Sequence, residues 1–270
     1  MRSPAKRPLF PLLVTAILAW AQARTQTSVE FFPEVRLFPR LAADALTHHI
    51  SLSKVTHNRD WIGTIGGVAP LVSVRSPEVT WQLSAAVTTF NRLIKPPGIT
   101  VYTIDYKVDI PIDVRYDDFA FRLAIGHYSG HFADDAIELL GKSSIQSVKD
   151  YLTVAASHDL PHGWGFVYAG VQYNYNNIPV HDRPWQIQWG FDAGNVPFLG
   201  FAVLYCAVDI KLKQEVAWGS TQSYQAGARL VEKARYLLRV AYTHRRGHDE
   251  RGQFFNTRET VNLISIFLDI

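Results

Sequence analysis

The 270-residue sequence has one cysteine, Cys206, and one methionine, Met1. A single cysteine excludes an intramolecular disulfide, and with it the small stapled domains of secreted proteins. Beyond the first 23 residues no apolar run is long enough for a membrane-spanning helix. A charge of one sign is missing too. Of the 27 Lys and Arg, three (Arg2, Lys6, Arg7) lie at the start, which leaves 24 against 24 Asp and Glu. A net charge of zero gives no electrostatic footprint for nucleic acid, so no nucleic-acid partner is expected. Glycine-rich nucleotide loops, paired-cysteine zinc spacings, EF-hand loops, internal repeats and low-complexity tracts are all lacking.

The chain opens with a basic cluster, a short apolar run from Pro8 to Trp20 and Ala21-Gln22-Ala23. This reads as a signal peptide, residues 1–23, cleaved after Ala23. Pro11 interrupts the run, which is too short for an anchor helix. Residues 24–46 read as an irregular lead-in. Phe31, Phe32, Pro33, Phe38 and Pro39 suit a plug, cap or turn, and prolines argue against a central strand. Residues 47–270 are then one domain. An exported chain without a spanning helix can enter a membrane only as a closed barrel.

The rest of the chain alternates. From Val101 to Tyr116, Tyr102, Ile104, Tyr106, Val108, Ile110, Ile112 and Val114 share one face, and Thr103, Asp105, Lys107, Asp109 and Asp113 the other. A strand points successive side chains to opposite faces. An aromatic and aliphatic face backed by a charge ladder fits a wall between lipid and a polar lumen. Asp105, Lys107, Asp109, Arg122, Arg239 and Arg245 are therefore expected to form a lumen polar network. Trp81, Trp164, Trp185, Trp189 and Trp218 suit the interfacial girdles. The expected fold is all-β, an antiparallel transmembrane barrel of about 12 strands in the bacterial outer membrane. The competing fold is a soluble lipocalin-like barrel or sandwich. Strands are expected at 48–57, 61–74, 79–91, 101–116, 149–158, 164–175, a short 185–191, 199–213, 215–230, 236–245 and 258–270, besides one opening at Phe119. His244 to Arg246, with His248, read as a solvated loop.

The stretch Phe119 to Glu138 carries the candidate chemistry. Phe119, Phe121, Leu123 and Ile125 form an apolar face, and the same parity adds His127, Ser129 and His131. Residues i and i+2 on a strand share a face, so His127 can act as base toward a Ser129 nucleophile. An acid among Asp134, Asp135 and Glu138, on or beside a short helix at 134–140, would orient the imidazole. The Gly130 N–H would contribute to an oxyanion site. At roughly 2.3–2.4 Å of membrane rise per residue from Phe119, His127 and Ser129 reach the outer-leaflet interface. Two other readings stay open: a polar rim without chemistry, and a metal site at His127, His131 and Asp135.

His127-Tyr128-Ser129-Gly130-His131-Phe132-Ala133-Asp134-Asp135 resembles His-x-Ser-Ser-His-Leu-Gly-Asp-Glu, the marker of a bacterial outer-membrane-type barrel family of unknown function. Leu41-Ala42-Ala43-Asp44, Gly66-Gly67 with Pro70, and Thr103 to Val108 are similar to that family's upstream segments. The resemblance implies membership and no activity. More distantly, His127-x-Ser129 resembles the outward-facing His-x-Ser of outer-membrane phospholipase A and lipid A deacylases. That implies His127 as base, Ser129 as nucleophile, lipid partners and, by analogy, calcium. Those enzymes carry Asn after the serine where this chain has Gly130, so the third group is sought among Asp134, Asp135 and Glu138. A homodimer is left open. The alternative function is a non-catalytic structural barrel or narrow channel.

Overall fold

The computed structural model describes residues 27–95, 98–141, 143, 147–230 and 237–269. The expected signal peptide and Tyr236 lie outside them. The described residues form a 13-stranded antiparallel sheet. Its strands are β1 (Ser28–Phe31), β2 (Ile50–Val55), β3 (Trp61–Arg75), β4 (Thr80–Ile94), β5 (Thr100–Tyr116), β6 (Phe119–Phe132), β7 (Ser147–Leu160), β8 (Gly165–Ile178), β9 (Trp185–Phe198), β10 (Ala202–Lys213), β11 (Gly219–Leu230), β12 (Leu237–His248) and β13 (Arg258–Asp269). Helix α1 (Asp134–Leu140) follows β6. No helix among the described residues is long and apolar enough to cross a membrane.

β2 to β13 close into a ring of 12 strands. Each strand pairs with its sequence neighbour, and β13 meets β2 from Leu263–Val55 to Leu268–Ile50. β1 lies outside the ring and pairs with Arg75 to Val72 at the end of β3, below the short β2. Turns at 76–79, 117–118, 161–164 and 199–201 gather at the end that holds Asp269, here the terminal end. The connections at 56–60, 179–184, 214–218 and 249–257, and the described start of the β6–β7 connection at 133–141, gather at the opposite, loop end.

The alternation of the sequence becomes the two faces of this wall. Ile110, Leu123 and Val154 are about half exposed on the outside, whereas Thr103, Asp105, Asp113 and Ala120 are buried within. Trp81 and Trp164 sit outside at the terminal end, Trp185 and Trp218 at the loop end, as interfacial anchors do. Charges buried in the lumen would be costly alone, so they come in pairs. Arg239 donates to both Asp269 oxygens, to Gln225 Oε1 at 2.9 Å and to Tyr205 at 3.2 Å. Arg122 donates to Asp113 at 2.7 Å and 2.8 Å. Arg92 bridges Asp60 at 2.9 Å and Glu259 at 2.7 Å. Gly126 has a packing reason to be glycine. A Cβ there would lie 2.2 Å from Asp109 Oδ1 and 2.3 Å from the Tyr151 ring.

The lead-in enters the lumen. Phe38, Ala42, Ala43, Asp44, His48 and His49 are all buried. Ala42 and Ala43 pack in an apolar cluster with Tyr205, Ala207, Ala241 and Phe267. The Gln82 side chain holds the lead-in backbone at Val35 O (2.7 Å) and Leu37 N (3.2 Å).

Several strand limits differ from expectation. β2 starts at Ile50, not His48, because His48 bonds Thr88 and Asp109 across the lumen. β9 runs on to Phe198 instead of stopping at Phe191, past Gly190, Gly194 and Pro197, which blur alternation. β6 reaches Phe132 and β8 reaches Ile178. The segment read as a solvated loop, His244 to His248, belongs to β12. There Arg245 faces inward, and His244 meets Asn262 at 2.8 Å.

Candidate functional site

β6 places His127 on the outer face, with 47% of its side chain exposed. The register of β6 against β7 sets Asp150 opposite it. His127 Nδ1 and Asp150 Oδ1 are 2.6 Å apart. Asp150 Oδ2 accepts from Asn176 Nδ2 at 2.7 Å. A register shift after Asp150 in the β7–β8 pair lies beside this contact, and such bulges re-aim side chains near functional sites. A ring nitrogen that meets a carboxylate carries the proton, so Nδ1 is the N–H and Nε2 is left as the basic nitrogen. The result is an acid-oriented imidazole on the apolar outer wall, near the loop end.

Ser129 follows on the same face by parity, and only 8% of it is exposed. Tyr106 of β5 and Val148 of β7 flank it in register. Its hydroxyl makes no hydrogen bond among the described residues, and the Ser129–His127 contact is not closed. Gly130 is paired on both sides, with Asp105 and Ser147. Its amide lies in the plane of the sheet between strands, not on the outer face where an oxyanion from Ser129 would stand.

The acids expected to orient His127 lie elsewhere. β6 continues past the histidine to Phe132, about 16 Å at the usual strand rise. Asp134, Asp135 and Glu138 come after that, exposed on α1. Asp135 Oδ2 accepts from the Val101 N–H at 3.3 Å. Neither Asp134 nor Asp135 caps the helix, whose N-cap is Ala133 without a side-chain bond. His131 lies against Tyr106, ring centroids 6.2 Å apart. Among the described residues no group of three or more His, Cys, Asp or Glu is placed to hold a metal ion.

The expected lumen residues are drawn together in part. Asp105 accepts from the Tyr128 hydroxyl. Lys107 bonds Asp109 at 3.2 Å and the Leu46 carbonyl at 3.1 Å. Asp109 also meets His48 at 2.7 Å and Tyr151 at 2.6 Å. Arg122 and Arg239 belong to the separate pairs described above. Arg245 lines a cavity at the loop end with Asp105, Arg92 and Arg251. Sequence reasoning missed Asp150 and Asn176. Asp150 lies within β7 and Asn176 within β8, and only the pairing register brings them to His127.

The family model described as "Protein of unknown function (DUF1207)" matches residues 14–268. The chain belongs to this family. Among solved structures, outer membrane phospholipase A from Escherichia coli is similar in fold. It has a TM-score of 0.51 at 13% identity, over 82% of this chain and 92% of that chain. The beta domain of the Bordetella autotransporter Brka gives 0.41 at 11%, over 82% and 95%. OccK9 of Pseudomonas aeruginosa gives 0.31 at 11%, over 90% and 72%. No curated protein matches. At these identities the likeness concerns fold alone: this DUF1207 chain has an outer-membrane-type β-barrel fold.

Proposed function

We propose that this barrel resides in the bacterial outer membrane and hydrolyses lipid esters at its outer wall. Ser129 is the nucleophile, His127 the base and Asp150 the group that orients the imidazole. The observation that carries the reading is the His127 Nδ1–Asp150 contact of 2.6 Å on a lipid-facing strand. Asp150 keeps the proton on Nδ1 and stabilises the imidazolium that forms when Nε2 takes the serine proton. The Ser129 oxygen attacks the ester carbonyl, and the leaving alcohol receives the proton from Nε2. Water then attacks the acyl-serine by the same base and releases the fatty acid. The reaction requires the Ser129 side chain to turn toward Nε2, a rotamer change. The fold shared with an outer membrane phospholipase A supports a lipid substrate at such a wall.

The purified protein in phospholipid–detergent micelles, with and without calcium, tests this by fatty-acid release. Release by the wild type and its loss in Ser129→Ala and His127→Asn are expected. Equal release by Ser129→Ala, or none by the wild type in either condition, removes the hydrolase. The open Ser129–His127 contact favours a second reading, a structural barrel whose rim histidine only closes a polar network. Export through a signal peptide cut after Ala23 is part of the proposal. Mass determination of the membrane-extracted N-terminus tests it.

A further inference from the structure

The lumen is filled unevenly. The lead-in packs tightly toward β10, β12 and β13 through Ala42 and Ala43. On the side of β3 to β9, cavities follow one another along the barrel. One of about 250 Å³ lies between Glu34, Arg36, Arg40, Val68 and Pro70. A second of about 100 Å³ shares Arg36, Arg40 and Val68 with it and reaches Asp44, Lys107 and Gln188. A third of about 50 Å³ shares those last three residues and ends near the loop end at Lys149, Lys213 and Glu250.

Residues 44–48 cross the lumen where the second and third cavities meet. At one end, Asp44 accepts from Lys211 Nζ at 2.6 Å and Gln188 Nε2 at 3.2 Å, on β10 and β9. At the other, Lys107 of β5 donates to the Leu46 carbonyl at 3.1 Å, and His48 meets Asp109 at 2.7 Å. Among the described residues, no backbone–backbone hydrogen bond ties residues 33–48 to the wall strands. The segment is a bar held by side chains at both ends, His48 also meeting Thr88 at 2.7 Å, and in its middle by Leu46 packed against Phe90, Tyr128 and Tyr151. It can leave its seat without breaking a rung of the ladder.

We propose that residues 44–48 are the gate of a conduit for small hydrophilic anions bearing a carboxylate or phosphate. Buried Lys211 needs counter-charge; the bar's own Asp44 supplies the nearer carboxylate at 2.6 Å and Glu250 the other at 3.3 Å. A solute anion can take that place on Lys211 and release the bar. Basic side chains outnumber acidic ones along the three cavities, and glutamines 172, 186 and 188 offer further hydrogen bonds to an oxyanion. The conduit lies on the inner face of the wall and does not depend on the outer-wall hydrolase reading.

Planar-bilayer recording in potassium chloride gradients tests the gate, with folding of each variant checked by its migration on unheated gels. The wild type should stay mostly closed. Asp44→Asn should raise open probability roughly tenfold or more, the factor that about 1.4 kcal/mol of lost seating gives. Its reversal potential should favour chloride. The exchange Asp44→Lys with Lys211→Asp should close the pore again. Should Asp44→Asn fail to fold, Lys107→Met frees the other end of the bar and is expected to open it. The proposal is overturned if the folded variants conduct no more than the wild type. Cation selectivity, or an exchange variant as leaky as Asp44→Asn, also overturns it. Fatty-acid release should not change in these variants.

Discussion

The two faces of one wall handle charge in opposite ways. Inside, Arg239 has Asp269, Tyr205 and Gln225 around it, and Lys211 has Asp44 and Glu250. Outside, at the rim of β6 and β7, His127 has one carboxylate and an open side, with the other nitrogen bonded to nothing among the described residues. A lumen charge is surrounded until its desolvation is repaid by partners; Arg239 is held in this way by wall residues, whereas Lys211 divides its partners between residues 44–48 and the 249–257 connection. A rim group that keeps one side free can meet a ligand. Partner saturation therefore separates the scaffold from the candidate site better than residue type does.

That contrast can be broken from either side. The largest effect should come from Arg239→Ala, which leaves Asp269 buried without its main counter-charge. A loss of about 3–5 kcal/mol is expected, read as a lower unfolding midpoint in denaturant; a loss like that of a surface variant would contradict the saturated-lumen picture. Asp150→Asn should leave the midpoint nearly unchanged and cut fatty-acid release roughly 100-fold or more, within the range of base catalysis. A stability loss with activity intact would make the outer contact structural as well. Tyr128→Phe should cost about 1–3 kcal/mol, because it strips Asp105 of its hydroxyl donor and Gly252 N–H of its acceptor.

The smallest effect concerns acid. In the 249–257 connection, burial pushes Asp249 upward, but the hydrogen bonds and charge of Arg251 bring it below its ordinary value. Glu250, also pushed up by burial, is lowered in net by Lys211 and Lys213. Both folded values lie below the unfolded ones. Their stabilisation is therefore complete above the ordinary carboxylate range near pH 4, and it is lost as pH falls through the depressed values. Unfolding midpoints should hold from pH 7 to about 5 and decline below about 4. Arg251→Gln should shrink that decline, and an unchanged acid profile in the variant would dissociate Asp249 from it.

The barrel was readable wherever alternation was clean. β5 and the first half of β6 present their faces as the residue types imply, because a barrel wall turns neighbouring positions to its outer face and to its lumen. β9 was cut short in the reading since Gly190, Gly194 and Pro197 carry no strong polarity on either face. His127 and Ser129 were legible as a pair on one face. Asp150 was not, because the connection at 133–146 hides the β6–β7 register. The proximity of Asp134 and Asp135 in sequence pointed to acids that the structure places on α1, beyond the end of β6. The lead-in has no period at all. Its place depends on Lys107, Gln188 and Lys211, residues that the chain supplies long after it.

The seam between β2 and β13 has a consequence for how the molecule comes together. Ser53 and Ser265 share a hydrogen bond across it although 212 residues separate them, and Asp44 reaches Lys211 over 167. Contacts so distant along the chain pay their loop entropy before they return anything. Closing the ring and seating residues 44–48 thus both depend on contacts that span most of the described residues, and the two draw on the same loop entropy.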